Sequence, residues 1–350
     1  MIKTAIVGFG MSAKTFHIPF IKQSPDYELV AISTSHIAGA TVAFPRASVH
    51  ESALEMITST DADLIIITAP NDVHYNLAHA CLMANKHVVV EKPFVTQFDD
   101  GVALMQLAAK RGLVLTVYHN RRWDGDFLTI QKLVKERRLG KLRNFESHFD
   151  RFRPKIRDRW REKPGDGTGI WYDLGPHLLD QALVLFGMPQ SVTGRCLALR
   201  NKESVCDYFH VMLHYPMGDV ILHSSPYAAG PNTRFHMQGT QGSFIKMGLD
   251  PQESRLSEGA IPKDPDWSQE LPTAYGTFYS ENAKTTVTTE PGAYQAFYQA
   301  LSQCISIGAP PPVDPWDALL GLYLIQLAEK SSSLGQRLTV EVPEKTPKPE

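Results

Sequence analysis

Ala5-Ile6-Val7-Gly8-Phe9-Gly10-Met11-Ser12-Ala13 stands near the start of the chain and carries its strongest structural signal. An apolar, strand-like run is followed directly by the pattern Gly-x-Gly-x-x-Ala, which opens a predicted helix. In such a unit the first glycine permits the tight turn, the second lets the backbone approach a pyrophosphate, and the small third residue lets the helix pack on the strand. The amide groups at the start of that helix then face the phosphates. The stretch therefore predicts a dinucleotide-binding site.

The rest of the first third repeats this alternation of strand and helix. Near-continuous apolar strands are typical of a parallel sheet that is covered on both faces, and repeated strand–helix–strand units indicate a doubly wound α/β domain. We expect this Rossmann domain to span residues 1–120. Its predicted strands are 5–8, 28–34, 63–69, 86–90 and 113–118, and its clearest helices are 75–84 and 99–111.

After residue 120 the pattern changes to consecutive strands with few helices between them. This order is typical of an α+β domain with a large, mostly antiparallel open sheet. We assign residues 121–342 to this second domain, for substrate binding and oligomerisation, and residues 343–350 to a frayed tail. Two helices are predicted near its end, at 293–307 and 314–334, separated by a Gly/Pro-rich break.

The composition is that of an ordinary globular protein, with 350 residues, a hydrophobic fraction of 43% and a formal net charge of −2. This length favours two domains, and the balanced charge provides no basic field for nucleic acid. No apolar run reaches the roughly 18–20 residues of a membrane span, and no signal peptide precedes the first strand. The cysteines lie far apart without a Cys-x-x-Cys pattern, as expected for reduced thiols in the cytoplasm; they are Cys81, Cys196, Cys206 and Cys304.

The end of the second predicted strand bears on the choice of dinucleotide. NAD-binding domains normally carry Asp or Glu there, which binds the ribose 2′-hydroxyl. This chain has Ser33-Thr34-Ser35-His36 instead, with no carboxylate to repel a 2′-phosphate, and Arg46 follows nearby. The segment favours NADP, with NAD as the alternative.

Two further clusters contain candidate catalytic residues. Glu91-Lys92-Pro93 follows a buried strand, at the edge of the sheet where cofactor and substrate meet in this fold. A lysine there can bind a reacting hydroxyl, although these residues taken alone favour an exposed strand-end lysine. In the second domain, a glycine loop at 165–169 leads into a helix that contains Asp173, Pro176 and His177. We interpret Asp173 as the N-cap and place Pro176 and His177 in the first turn, where the helix dipole keeps His177 a neutral base; a buried structural histidine is the alternative.

Metal and nucleic-acid sites are not expected. His210 and His214 lie on one predicted strand without helical chelating geometry, and no His-Glu-x-x-His or Cys-x-x-Cys pattern occurs. Residues 151–163 hold seven basic residues against two acids. We interpret this segment as a solvated loop or subunit contact rather than a nucleic-acid patch, with one or two of its arginines within reach of the cleft.

The motifs together resemble the glucose–fructose oxidoreductase/inositol dehydrogenase (Gfo/Idh/MocA) family over nearly the whole chain. The similarity rests on the glycine motif, Ala69-Pro70-Asn71 with His74, Glu91-Lys92-Pro93, and Asp173-x-x-x-His177 after its glycine loop. The stretches 118–124 and 145–154 are most similar to the NADP-dependent scyllo-inositol dehydrogenase branch.

This resemblance implies an active site between the two domains, with Lys92, Asp173 and His177 as the catalytic set. It implies that His177 takes a hydroxyl proton, that Lys92 binds the same oxygen, and that Asp173 orients His177. Asn71 and His74 are expected near the nicotinamide, and Asn120 or Arg122 near the substrate. The expected reaction is reversible oxidation of a secondary hydroxyl of a sugar or cyclitol. A homodimer or homotetramer is expected separately, because an open sheet face in the second domain would be costly to leave exposed. Reduction of an aldose or other carbonyl, and a dinucleotide sensor without catalysis, are the alternatives.

Overall fold

The computed structural model describes residues 1–201, 204–264 and 266–345, so part of the predicted tail, residues 346–350, lies outside the described residues. The first domain contains a helix over residues 11–23, π-helical at Ala13–His17 and α-helical at Ile18–Gln23 (α1). Its other helices are α2 (Ile37–Ala43), α3 (Ala53–Ser59), α4 (His74–Met83) and α5 (Phe98–Arg111). Its strands are β1 (Ile2–Val7), β2 (Tyr27–Ser33), β3 (Ser48–His50), β4 (Leu64–Ile67), β5 (His87–Val90) and β6 (Leu115–Val117).

Within the described residues these six strands form one parallel sheet in the order β3-β2-β1-β4-β5-β6. The four residues of β4 are all fully buried, as a strand covered on both faces requires. Chain order reverses beside β1, where β2 lies on one side and β4 on the other. Ligands bind at the carboxyl ends of strands at such a switch point, which here is the glycine turn after β1.

The second domain is built on a larger, mixed sheet. Its helices are α6 (Gly125–Lys135), α7 (Ile170–Phe186), α8 (Gln252–Ser257), α9 (Gln295–Ile307) and α10 (Pro315–Leu334). Its strands are β7 (Leu142–His148), β8 (Ser191–Leu197), β9 (Tyr208–Tyr215), β10 (Gly218–Ser224), β11 (Thr233–Gly239), β12 (Gly242–Met247), β13 (Gly276–Tyr279), β14 (Lys284–Val287) and β15 (Leu338–Thr339).

In the part of the chain that the structure describes, these nine strands have the order β14-β13-β12-β11-β7-β10-β9-β8-β15, with β7 and β10 parallel and the other neighbours antiparallel. The predicted fold class is thus confirmed. Helices α7 and α10 cover one face, where alternate side chains of β9 are fully buried. The other face carries the remaining side chains, which are half-buried and include Glu146, His148, His210 and His223. This open face of the sheet therefore carries polar, titratable side chains among its half-buried residues.

The last helices connect the two domains, although the sequence analysis assigns both to the second. Tyr298 of α9 is buried in the first core, where its ring stacks on Phe20 at 5.4 Å. The hydroxyl of Tyr27 in β2 donates to the Tyr298 carbonyl at 2.6 Å. Leu319 near the start of α10 packs in the first core, whereas Leu324 packs in the second. Sequence periodicity identifies the apolar positions of a helix, but it does not tell which of the two cores each apolar side chain packs in.

The cysteines and the helices can be compared with what the composition predicts. All four cysteines are free thiols. Among the helices of the described residues, none has the length and apolar character needed to cross a bilayer.

Candidate active site

A cavity of about 580 Å³ opens between the two domains. The start of the glycine-turn helix and the loops after β4 and β5 line it on one side, and residues 151–162 and α7 line it on the other. The predicted site residues that line it are Met11, Ser12, Ala69, Asn71, Glu91, Lys92, Asn120, Asp173 and His177.

The glycine turn has the shape that a dinucleotide requires. Gly8 has a φ of +96°, and a Cβ there would come 2.6 Å from Thr68 Oγ1. Gly10 faces open space, with no described atom within 4 Å of the position of its Cβ. Ala13 is fully buried under the sheet and the Phe9 ring also packs in the core, so the backbone side of the turn stays accessible. These residues fit a bound pyrophosphate.

The end of β2 lies beside this turn, because the Gly8 amide donates to the Ser33 carbonyl at 2.9 Å. Ser33 and Thr34 are buried, and the Thr34 hydroxyl accepts a hydrogen bond from the amide of His36 at 3.0 Å. The side chains that follow are exposed beside the turn; they are Ser35 and His36, with Arg46 also exposed. Hydroxyl and imidazole groups are thus available there, without a carboxylate in residues 33–36. Arg46 precedes β3, which pairs with β2 in parallel from Ser48 opposite Ala31, so its backbone lies toward the other end of β2.

Glu91 joins the glycine-turn helix to the loop after β5. Its carboxylate accepts hydrogen bonds from Ser12 and from His17 Nε2, the latter at 3.0 Å, and from the Lys92 amide at 3.1 Å. Burial opposes ionisation of Glu91, but these contacts with His17 and Ser12, and the Lys92 charge, lower its pKa to about 2. Glu91 therefore holds Lys92 in a fixed relation to the cofactor turn. The contact of His17 with Glu91 is not predictable from the sequence, because nothing in the helical position of His17 distinguishes it from a core residue.

Lys92 and Asp173 form the central contact of the cavity. The Lys92 Nζ donates to Asp173 Oδ1 at 2.9 Å and to the Asp173 carbonyl at 2.7 Å, and the Lys92–Pro93 peptide bond is cis. Arg161 Nη1 lies 3.6 Å from the same carboxylate. Burial opposes ionisation of Asp173, but the Lys92 and Arg161 charges lower the pKa of this carboxyl below its usual range. The pair thus fixes an ammonium group at the cavity wall.

The start of α7 differs from the prediction. Helix α7 begins at Ile170, so Gly169 is the N-cap, Asp173 lies in the first turn and Pro176 lies inside the helix. A long-range contact sets this start, because the Ile170 amide donates to the Cys206 carbonyl at 2.7 Å. Gly169 has a φ of +87°, and a Cβ there would come 2.8 Å from that carbonyl. The earlier start still places Asp173 and His177 on one face of the helix.

His177 lies one turn after Asp173 but does not use it as a partner. Within the described residues its buried Nδ1 has no hydrogen-bond partner, and the Asp173 carboxylate contacts Lys92 and Arg161 instead. Burial, and then the nearby charges of Lys92 and Arg121, hold the pKa of His177 well below its usual value. Burial and nearby cations thus favour the neutral imidazole, and the Asp173 carboxylate contacts Lys92 rather than His177. The predicted role of Asp173 in orienting His177 stays a prediction.

Asn71 and His74, expected near the nicotinamide, have different environments. The Asn71 amide lines the cavity and donates to the Gly167 carbonyl at 2.9 Å, which ties the glycine loop to the first domain across the cleft. His74 is fully buried, with Nδ1 2.8 Å from the Pro93 carbonyl and Nε2 3.0 Å from the Ala69 carbonyl. Pro70, which precedes Asn71, is exposed. His74 positions the loop that carries Lys92 and has no side-chain surface for a ligand.

Arg122, a predicted substrate residue, points away from the cavity. Its guanidinium makes three hydrogen bonds to buried Asp180, at 2.7, 2.9 and 3.2 Å, and one to Asp317 at 2.9 Å. These contacts join the short helix Asn120–Trp123 to α7 and α10. The neighbouring Arg121 lines the cavity instead. The contacts of Arg122 do not favour its predicted role in substrate binding, which stays a prediction.

Replacing Arg122 by methionine should therefore reduce stability and leave ligand affinity unchanged. Removing one member of a buried ion pair leaves Asp180 buried without its partner, which costs about 3–5 kcal/mol of unfolding free energy. Urea unfolding measures this loss, and the exposed Lys132→Met is the matched control with an almost unchanged midpoint. A Michaelis constant that rises tenfold in folded Arg122→Met would restore the substrate role.

The sequence analysis missed several cavity residues on the opposite wall. Arg121 contacts Glu253 Oε2 at 2.5 Å, and Arg151 lies over the Phe149 ring at 4.8 Å. The basic segment 151–163, interpreted from the sequence as a solvated loop or subunit contact with one or two arginines near the cleft, contributes seven residues to the cavity lining. Its density of arginines was the available signal; the members that face the cavity are Arg151, Arg153, Arg159 and Arg161.

Comparison with known proteins assigns the chain to a family. Residues 2–119 match the NAD-binding Rossmann fold, and residues 131–342 match the C-terminal α/β domain, of the same oxidoreductase family. The chain belongs to the Gfo/Idh/MocA family. The resemblance inferred from the motifs is confirmed, and so is the class of NAD(P)-dependent oxidoreductases that act on CH–OH groups.

Several Gfo/Idh/MocA members resemble this chain over nearly full length. It is 43% identical to the uncharacterized oxidoreductase YdgJ of Escherichia coli, covering 95% of this chain and 96% of YdgJ. It is 38% identical to the NADP-dependent scyllo-inositol 2-dehydrogenase IolW of Bacillus subtilis, covering 97% and 96%. Among solved structures, the putative oxidoreductase yvaA from Bacillus subtilis matches with a TM-score of 0.93 at 36% identity, covering 97% of this chain and 98% of that one.

Proposed function

We propose that this protein uses NADP to oxidise, reversibly, a secondary hydroxyl of a sugar or cyclitol such as an inositol. The observation that carries the proposal is the convergence of Lys92, Asp173 and His177 on one cavity that also reaches the glycine turn. The similarity to IolW, named as an NADP-dependent scyllo-inositol dehydrogenase, supports the substrate class. A sensor needs no such acid–base set, so the residues favour an enzyme.

In this proposal each side chain of the cavity has a separate role in the reaction. When bound, the nicotinamide accepts hydride from the carbinol carbon. His177, held neutral by burial, takes the hydroxyl proton. The Lys92 ammonium donates a hydrogen bond to the same oxygen and stabilises negative charge on it. Asp173 holds that ammonium in place through the 2.9 Å contact, and Asn120, buried at the cavity wall, is placed to bind a neighbouring hydroxyl.

The preference for NADP can be tested at the end of β2. Ser35→Asp places a carboxylate at an exposed position beside the glycine turn. Two like charges about 4 Å apart repel by about 1 kcal/mol in bulk water and by about 4 kcal/mol near a protein surface. We therefore expect the Kd for NADPH to rise tenfold or more and the Kd for NADH to stay unchanged or fall. Fluorescence titration of both cofactors measures the ratio.

Ser35→Asn is the control of equal size without charge, and it should keep the cofactor ratio of the wild-type protein. Equal weakening of NADPH in Ser35→Asn and Ser35→Asp would mean that this position does not face the 2′-phosphate. Tighter binding of NADH than NADPH by the wild-type protein would contradict the NADP proposal directly.

Substrate class is tested by NADP reduction with a panel of inositols and aldoses, and by NADPH oxidation with the corresponding ketones and aldehydes. A clear maximum among the cyclitols supports the proposal, and a maximum among carbonyl compounds supports the reductase alternative. Tight cofactor binding with no turnover on any member would favour a dinucleotide sensor.

Arg151 favours adding acidic sugars to this panel. Its guanidinium is half-buried at the cavity and, among the described residues, makes no ion pair. Burial and the charge of Arg153 lower the pKa of Arg151 to about 10. A carboxylate or phosphate on the substrate would compensate this charge, so each neutral sugar should be compared with its acidic counterpart.

The homodimer or homotetramer stays a prediction. The half-buried side chains on the open face of the second sheet support it, although their polarity gives less apolar area than the sequence analysis assumed. Light scattering of the eluted protein measures the state.

A further inference from the structure

The open face of the second sheet carries a cluster of histidine and carboxylate groups that the proposed reaction does not use. His148 ends β7 and His223 lies opposite it in the parallel pair of β7 with β10. Asp150 follows His148 by two residues and so reaches the same face. One ligand atom from each of these three residues lies within 4.8 Å of the other two.

The geometry points to a binding site for one divalent transition-metal ion, held by His148, Asp150 and His223. Asp150 Oδ1 lies 2.9 Å from His223 Nδ1, and Asp150 Oδ2 lies 3.4 Å from His148 Nδ1. Ligand bonds of 2.0–2.1 Å in a tetrahedral zinc site separate neighbouring ligand atoms by about 3.3 Å. Each oxygen of Asp150 thus already lies near this separation from one imidazole nitrogen, and one atom from each residue can converge with a small rotation of the carboxylate.

Surrounding contacts constrain the side chains of His148 and Asp150. His148 Nε2 lies 3.2 Å from Glu146 Oε2, which leaves Nδ1 for the ion, and a carboxylate behind a ligating imidazole is the usual support of a metal site. Asp150 Oδ1 accepts a hydrogen bond from the Ser225 amide at 2.8 Å. The buried Nδ1 of His223 makes no hydrogen bond of good geometry within the described residues, despite its 2.9 Å separation from Asp150.

Charge and access also fit a cation. Within the described part of the chain, the only ion-pair partners of Asp150 and Glu146 are histidines, so no lysine or arginine neutralises these two carboxylates. The three ligand side chains are 12–19% exposed, which leaves a fourth coordination position open to water. Two imidazoles and one carboxylate are ligands that Zn²⁺ and Fe²⁺ accept and that Mg²⁺ and Ca²⁺ do not prefer. This differs from the sequence expectation, which considered His210 and His214 and found no metal pattern.

The test is titration of chelator-treated protein with Co²⁺, whose visible absorption reports its coordination geometry, followed by displacement with Zn²⁺. We expect one Co²⁺ per chain in the wild-type protein and a higher thermal midpoint with Zn²⁺. His148→Gln and His223→Gln should each weaken binding more than 100-fold, and Glu146→Gln about 10–100-fold as for other supporting residues.

His214→Gln is the matched control, since His214 lies on the same open face of the sheet but pairs with Asp219 at 2.7 Å. This variant should bind Co²⁺ as the wild type does. The metal-free midpoint and NADPH affinity of each variant verify folding. Wild-type protein that binds no stoichiometric Co²⁺ or Zn²⁺ at micromolar concentrations overturns the proposal. Unaltered binding in both His148→Gln and His223→Gln, or an equal loss in His214→Gln, overturns it as well.

Discussion

Lys92→Met is expected to lower kcat by about 10²–10³-fold, the range that one hydrogen-bond donor to developing negative charge contributes. The side chain is 11% exposed and its ammonium lies 2.9 Å from Asp173 Oδ1. Methionine keeps the length and apolar stem but donates no hydrogen bond, so the substrate oxygen loses its partner while the cavity keeps its shape. Steady-state kinetics with the best substrate of the panel, at saturating cofactor, measures the loss.

The affinity for NADPH separates this effect from a disturbed fold. In the proposed function Lys92 binds the substrate oxygen rather than the cofactor, so fluorescence titration should give a Kd within about threefold of the wild-type value. The control Lys132→Met removes a lysine of the surface pair with Glu290 and should leave kcat unchanged. Turnover of Lys92→Met within fivefold of wild type would remove Lys92 from the chemistry.

His177→Ala is expected to lower kcat/KM by a similar factor and also to change the pH dependence. Because burial and the Lys92 charge hold the pKa of His177 well below its usual value, the imidazole of the free enzyme stays neutral on acidification through pH 6.5. The wild-type kcat/KM should therefore begin to fall only well below that pH, where the base becomes protonated. In His177→Ala this acidic limb should be absent.

Rate profiles of kcat/KM between acidic and neutral pH measure both effects. His79→Ala, which changes an exposed histidine of α4, is the control and should keep the wild-type profile. An unchanged rate in His177→Ala would remove the proposed base. An acidic limb that persists in the variant would assign that titration to another group.

The sequence predicted those parts of the site that depend on local backbone geometry. The Gly8 and Gly10 turn needs only a strand, two glycines and a helix, and Lys92 follows a buried strand whose end must face the cleft. These requirements are met within a few residues, so the pattern alone indicates them. The overall class, a parallel sheet followed by a mixed one, follows equally from the order of strands and helices.

The parts that the sequence did not predict depend on contacts between distant segments. The start of α7 is set by the carbonyl of Cys206, which is 36 residues after Ile170, and it moves Asp173 from the cap into the first turn. Arg121 and Arg122 are adjacent in a short helix, where no periodicity tells which side chain faces the cavity. Asp180 and Asp317 bind Arg122 and so direct its side chain away from the cavity, which leaves Arg121 to line the cavity.

The packing of Tyr298 and Leu319 in the first core has a consequence for dissection of the protein. A fragment that ends near residue 120 would contain the whole six-stranded sheet and the glycine turn, yet it would expose Phe20 and the ring face of Tyr27 that α9 covers. Apolar surface of this kind promotes self-association. The nucleotide-binding half is therefore a structural unit but not an autonomous folding unit, and its isolated expression should yield aggregates unless residues 294–322 are supplied in trans.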